Sequence, residues 1–426
     1  MILEVLALDA EGRGVARNPE GKVVFVEGAL PGETVEARLV HGRRSYDLMR
    51  ATAVLHASSG RRSPRCPYFG VCGGCATQHA DARTQVAAKQ RWLEDCLQRI
   101  AKVEPGCILA PIHGEEWGYR RRARLSVRHL AKTGVAMVGF RERRSTFVAD
   151  MDSCEVLPPQ VAALIPRLRR LVAELSVRER VPQIEVAVGD EAVVLVFRHL
   201  LPLSAADQAA LRDFAQSAGV WVWLQPGGPD TAQPFAPESG GALHYTLPEF
   251  GVRIEFRPTD FTQVNHAVNR LLVARAVRLL DPQPGERIAD LFCGLGNFAL
   301  PIARRGAQVS GFEGSAALVE RARRNAALNG LEAQFETANL AEAGFGALGP
   351  FDKLLLDPPR EGAVELVKAL PQDWPRRIVY VSCDPATLAR DAGVLVHRQG
   401  FTLSAAGVVN MFPHTAHVES IALFER

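Results

Sequence analysis

The sequence predicts an α/β chain. Its C-terminal part reads as a doubly wound, Rossmann-like parallel sheet, preceded by a small N-terminal β-barrel and an α+β middle domain. Three observations predict it. From Val268 onward strand and helix patterns alternate around a glycine loop. Residues 1–57 carry short alternating strands broken by turn residues. Between these regions lie a cysteine cluster and mixed strand and helix patterns. The expected boundaries are 1–57, 58–260 and 261–426. A chain of 426 residues, 47% hydrophobic and 23% charged, is too long for one ordinary core and reads as globular.

In the first region Ile2 to Leu8, Lys22 to Val26 and Thr34 to Val40 read as strands, with Gly12, Gly14, Gly21, Gly28 and Pro31-Gly32 as punctuation. The expected result is an antiparallel barrel. In the middle region Val86, Ala87, Trp92, Leu93, Cys96, Leu97 and Ile100 recur at helical spacing. Arg122 to Val127, Val135 to Phe140, Ile184 to Val188 and Ala192 to Phe197 read as strands, and Pro159 to Leu175 as a helix. In the last region the expected order is helix Val268 to Leu280, strand Arg287 to Phe292, glycine loop and helix Phe298 to Arg305. Strand Gln308 to Glu313, helix Ala316 to Asn329 and strands Lys353 to Leu356 and Arg377 to Ser382 follow.

Charge and composition exclude some classes. No window approaches the length of a membrane span, so no membrane partner is expected. The start, Met1-Ile2-Leu3-Glu4, lacks the basic and apolar parts of a signal peptide, so the expected compartment is the cytoplasm. Net charge is only +3, but it is unevenly spread. Trp117 to Arg144 holds nine Lys/Arg against Glu142, and His41 to Arg65 holds six Arg against Asp47. Such runs fit contact with a phosphate backbone, although one alone is equally a solvated surface.

Eight cysteines in a chain of this size do not make a disulfide scaffold. Cys66, Cys72 and Cys75 are spaced C-x5-C-x2-C, with Gly70, Gly73 and Gly74 letting the backbone wrap closely. That spacing favours a [4Fe-4S] cluster over zinc, which more often takes paired C-x2-C units. A fourth ligand is needed. Cys154 is the first candidate and Cys107 a rival, while Cys96 shares a helix face with Trp92 and Ile100 and reads as core.

The loop Asp290-Leu291-Phe292-Cys293-Gly294-Leu295-Gly296-Asn297-Phe298 joins a strand to a helix. Glycines there let a ligand approach the backbone. Glu313 ends the next strand, where a carboxylate can accept ribose hydroxyls. Ala299 stands near where a dinucleotide site would want its third glycine, so the pattern fits S-adenosylmethionine better than NAD. Asp357-Pro358-Pro359-Arg360 follows another strand and should face the same crevice. Cys383 ends Ile378-Val379-Tyr380-Val381-Ser382 and should point there too. A thiol nucleophile in such a crevice calls for a base. Glu419, abutting the apolar run Ile421 to Phe424, is the candidate, with His414 and His417 as alternatives.

Together these residues resemble the RNA (uracil-5-)-methyltransferases, over nearly the whole chain. That resemblance implies an N-terminal TRAM barrel, a middle domain with a [4Fe-4S] cluster on Cys66, Cys72, Cys75 and Cys154, and a C-terminal methyltransferase domain. The family's F-x-Q-V-N motif stands as Phe261-Thr262-Gln263-Val264-Asn265. Gln263, Phe292, Asn297, Glu313, Asn339 and Asp357 then match S-adenosylmethionine contacts, Cys383 the nucleophile and Glu419 the base. The implied reaction is thiolate addition at uracil C6, methylation at C5 and removal of the C5 proton. The barrel together with the cluster implies a 1939-type uridine of 23S rRNA, with other rRNA or tRNA uridines as the alternative, and a monomeric enzyme. A non-catalytic RNA-binding factor would leave Cys383, Glu419 and the glycine loop without a purpose. One departure stands out: Ser382-Cys383-Asp384-Pro385 replaces the family's S-C-N-P, and a carboxylate beside the thiol is expected to raise its pKa.

Overall fold

A computed structural model of the chain describes residues 1–340 and 349–426. Residues 2–56 form a six-stranded sheet curled around Leu3, Val5, Val24, Val26, Val35 and Met49. It was expected to be antiparallel throughout. One pair departs: Val23–Glu27 runs parallel to Tyr46–His56. The chain between these two strands lays down a whole further strand, Thr34–Gly42, so it returns in the same direction.

A second six-stranded sheet is built from Arg122–Leu130, Val135–Gly139, Gln183–Val188, Val193–Arg198, Trp221–Gln225 and Gln233–Pro234. Helices Ile165–Glu174 and Ala205–Ala218 pack against it through Leu168, Leu171, Leu211 and Phe214. The helix expected from Pro159 to Leu175 is split into Pro159–Ala162 and Ile165–Glu174.

The third sheet has eight strands. Ala333–Thr337, Gln308–Glu313, Arg287–Leu291, Lys353–Leu356 and Arg377–Ser382 lie side by side and parallel, as the alternating pattern predicts. Beyond them the expectation of a parallel sheet fails. Glu419–Glu425 is antiparallel to Arg377–Ser382 on one side and to Thr402–Val409 on the other. Alternate residues serve two apolar layers. Val379 and Val381 face a core shared with helix His266–Leu280, while Ile378 and Tyr380 face one shared with helix Pro385–His397.

Residues 82–112 belong to this last layer. Strand Cys107–Ile108 pairs parallel with Ala405 and Ala406 at the sheet's edge. Helix Ala82–Cys96 sets Leu93 and Cys96 into the core beside Leu403 and Tyr380. Its buried stripe is Gln85, Lys89, Leu93 and Cys96, whereas Ala87 and Ile100, expected on the apolar face, are exposed. Two polar side chains therefore lie in the interface, where burial requires partners for them.

Candidate active site

The carboxyl ends of the parallel strands open into one cleft of about 580 Å³. Leu291, Glu313, Leu356 and Ser382 are the last residues of four of them, so the loops that follow share an edge. The antiparallel strand makes the site complete. Because it runs backwards, its first residue, Glu419, lies at the edge where Arg377–Ser382 ends. Ser382 pairs with Ser420, and continuing that register by one residue sets Cys383 opposite Glu419.

Gln263, Phe292, Asn297, Glu313, Asp357, Cys383 and Glu419 all line the cleft. Asn339 does not line it; it is exposed, two residues beyond strand Ala333–Thr337, next to Ala338, whose N–H donates to the Glu313 carbonyl. The Glu313 carboxylate is held by backbone donors, Gly294 N–H on Oε2 at 3.2 Å and Ser315 N–H on Oε1 at 3.0 Å. Phe292 adopts φ +66°, a left-handed conformation that is costly away from glycine and clusters at functional sites.

Asn297 is fixed by residues that the sequence motifs did not reveal. Tyr245 Oη and Asn269 Nδ2 each donate to its Oδ1 at 2.9 Å, and its Nδ2 donates to Asn269 Oδ1 at 3.0 Å. No local pattern marks Tyr245 or Asn269. Phe261 and Arg360 also line the cleft, and their signal was present inside the two quoted motifs. Phe261 is 73% exposed, an aromatic face left in water at the rim.

The site holds several carboxyls in low dielectric. Burial, with the Asp357 charge adding to it, pushes Glu419 up to about 8, opposed by the Lys89 ammonium. Burial alone pushes Asp357 up to about 7. The Cys383 thiol rises to about 11 through burial and the negative Glu419 and Asp357, while Arg360 acts the other way. The Asp384 carboxylate accepts from Ala386 N and Thr387 N at 2.8 and 3.2 Å and caps helix Pro385–His397, while the larger charges acting on the thiol are those of Glu419 and Asp357.

The two histidines separate. His417 lines the cleft with Nε2 4.0 Å from Glu419 Oε1, and burial lowers it to about 4. His414 sits behind the cleft, stacked on Trp117 at 3.8 Å and bonded through Nδ1 to Gln85 at 3.1 Å.

The cysteines also sort. Cys66, Cys72, Cys75 and Cys154 are free and lie close enough for their charges to act on one another. Three of the sulfurs receive donors: Gly74 N–H on Cys72 Sγ at 3.4 Å, Gln78 on Cys75, and the amides of Val156 and Leu157 on Cys154. Among the described residues no group of three or more His, Cys, Asp or Glu side chains is gathered to hold a metal ion. Cys107 is exposed at the sheet edge, and Cys96 is buried in the core as expected.

A second cavity of about 850 Å³ lies between the barrel and the middle domain. Arg13, Arg124, Arg141, Arg143, Arg144 and Arg198 line it, along with Glu11, Glu27 and Glu142. Four of those arginines come from the basic run at Trp117 to Arg144.

Comparison with known proteins gives the same reading. Residues 348–426 match the family described as tRNA (Uracil-5-)-methyltransferase, 288–357 a methyltransferase domain, and 3–46 a TRAM domain. A protein of Azoarcus sp. (strain BH72) named 23S rRNA (uracil(1939)-C(5))-methyltransferase RlmD is 60% identical, over 99% of this chain and 98% of its own. One of Thiobacillus denitrificans with the same name is 61% identical, over 100% of this chain and 99% of its own. The chain belongs to the RlmD family of RNA (uracil-5-)-methyltransferases. The family's fold is also seen in the Pyrococcus abyssi tRNA (uracil-54, C5)-methyltransferase, crystallised with S-adenosyl-L-homocysteine. That structure is 26% identical, covers 100% of both chains and has a TM-score of 0.77. The family found is the one whose motifs the sequence resembles. Among the described residues no helix is long and apolar enough to cross a membrane.

Proposed function

We propose that this chain methylates C5 of a 1939-type uridine in 23S rRNA, with S-adenosylmethionine as donor, acting as a cytoplasmic monomer. The observation that carries the reading is the register that sets Cys383 opposite Glu419 in one chain's own cofactor-type cleft. The residues proposed to hold S-adenosylmethionine are Gln263, Phe292, Asn297, Glu313 and Asp357, with Asn339 beside them. The site fits such a ligand: Gly294 has open space where a Cβ would stand, and the Glu313 carboxylate is already oriented by two amides. When bound, the sulfonium supplies an electrophilic methyl group.

C5 of uracil is a poor nucleophile. The Cys383 thiolate adds to C6 and pushes the electron pair toward C5 and O4. C5 then forms its bond to the methyl carbon as the carbon–sulfur bond of the donor breaks. Glu419 takes the C5 proton, and the C6–S electron pair returns to Cys383. Both faces of the ring must be reached, so the uridine has to leave the RNA stack. The exposed Phe261 at the rim is a stacking surface for it, and the arginine-lined cavity is suited to the backbone.

The test uses an rRNA fragment carrying 5-fluorouridine at the target, with methyl-labelled S-adenosylmethionine. Fluorine at C5 cannot be removed as a proton, so a covalent protein–RNA complex bearing the label is expected. Absence of that complex would overturn the mechanism.

Cofactor affinity offers a second check. Asn269→Ala leaves Asn297 without its reciprocal partner in a buried site. An unmade buried hydrogen bond costs ~1–3 kcal/mol, so S-adenosylhomocysteine should bind about tenfold more weakly by calorimetry. A dissociation constant within twofold of wild type would remove Asn297 from the cofactor contacts.

We also propose three domains, 1–57, 58–260 and 261–426, with residues 82–112 of the middle segment packed onto the C-terminal sheet, and a [4Fe-4S] cluster on Cys66, Cys72, Cys75 and Cys154. What supports the cluster is the donor chemistry: four free thiols, two buried and two half-buried, with donors on three of the sulfurs of the kind that tune iron–sulfur ligands. Burial raises Cys75 to about 12 and Cys154 to about 11, so a strong positive partner is needed to ionise them. Anaerobically purified protein should be brown with about four irons per chain, and Cys75→Ser should lose the colour. A colourless protein holding one zinc would refute the assignment.

A further inference from the structure

Lys89 is a buried lysine from residues 82–112, far in sequence from the strands of the cleft. Its Nζ donates to Asn410 Oδ1 at 2.8 Å and to the Phe412 carbonyl at 2.9 Å. Those acceptors sit where strand Thr402–Val409 hands over to the loop that leads to Glu419, and Val409 is the register partner of Glu419. One helical turn earlier, Gln85 binds the same loop through His414 N–H at 2.7 Å and His414 Nδ1 at 3.1 Å. Glu419 itself is 5% exposed, and its Oε2 has no hydrogen-bond partner among the described residues.

We propose that Lys89 is a positioning residue for the base: its ammonium, anchored by Asn410 and Phe412, provides a counter-charge that favours the ionised form of Glu419 needed for removal of the C5 proton. This rests on the reading of Glu419 as the base. The groups facing the pair are Asp357, Cys383 and Arg360 on the cleft side, His417 at 4.0 Å from Glu419, and His414 with Glu116 behind. Asp357 opposes ionisation of Glu419 and Lys89 favours it. Among the described residues the Lys89 ammonium is the cation that favours the charged form of that carboxylate, which is why its loss should matter. Burial lowers Lys89 to about 7, and the negative Glu419 raises it, so the two charges support each other.

The role is stage-specific. Addition and methyl transfer do not use Glu419, but proton removal does. RNA carrying 5-tritiated uridine, reacted in a single turnover with methyl-labelled S-adenosylmethionine, separates the stages. Methyl incorporation reports transfer, and tritium in water reports proton removal. Lys89→Met removes charge and donors; Lys89→Gln keeps a donor without the charge. Both variants should incorporate methyl within twofold of wild type. Both should release tritium about tenfold more slowly at pH 7, the effect of raising Glu419 by about one pKa unit, and should recover toward pH 9. Release that superimposes on wild type, or slow release that does not recover with pH, overturns the proposal. Loss of methyl incorporation in both variants also overturns it, and would assign Lys89 to the framework of the loop. If the wild-type enzyme incorporates no methyl, the methylation reading itself fails. If Glu419→Gln releases tritium normally, the base is another group.

Discussion

Cys383→Ala is expected to lower uridine methylation by ~10⁴-fold or more, the scale on which removing a covalent nucleophile acts. The same variant should yield no covalent complex with 5-fluorouridine RNA, while its affinity for S-adenosylhomocysteine stays within twofold. The separation follows from geometry. The proposed cofactor contacts arise from the glycine loop, the end of strand Gln308–Glu313 and the F-x-Q-V-N segment, none of which depends on the thiol. Cys383→Ser should be nearly as inactive, because a hydroxyl is a far weaker nucleophile at neutral pH. In the free enzyme the thiol itself keeps its proton, since burial and two carboxyls hold it at about 11. Complex formation by wild type should therefore speed up as pH rises from about 7 to 9, each unit adding up to about tenfold in thiolate. An equal yield of complex from Cys383→Ala would sink the assignment of the nucleophile.

Much of this site is legible in the sequence because its parts are short and local. The strands end at Glu313, Leu356 and Ser382, where the apolar runs stop, and Glu313 itself, Asp357 and Cys383 carry the useful chemistry. The direction of the strand bearing Glu419 is not legible. A strand buried on both faces reads as a continuous apolar run whichever way it points, so Ile421 to Phe424 carries no directional signal. Yet that direction is what brings Glu419 to the edge where Cys383 lies. Lys89 and Gln85 were missed for a related reason. Helical periodicity finds apolar stripes, and this stripe contains two polar residues whose partners are 321 and 329 positions away. Asp384 adjoins Cys383 in sequence, and its second role, capping the next helix with its carboxylate, shows only in the fold.

Glu419→Gln should convert the enzyme into one that methylates and then stalls. Glutamine keeps the shape of the side chain and cannot accept the C5 proton. Addition of Cys383 to C6 and methyl transfer to C5 remain possible, so ordinary uridine RNA, without fluorine, should accumulate as a methyl-labelled covalent complex. Tritium release from C5 should fall ~10²–10⁴-fold, the contribution of a positioned general base. The pH dependence identifies which group acts. Glu419 must be ionised to work, and burial holds it at about 8, so release by wild type should climb from pH 6, reach half its maximum near pH 8 and level off above about 9. His417, lowered to about 4, would already be neutral across that range and would give a flat profile. A flat wild-type profile, or wild-type release by Glu419→Gln, would transfer the role of base from Glu419 to its neighbour 4.0 Å away.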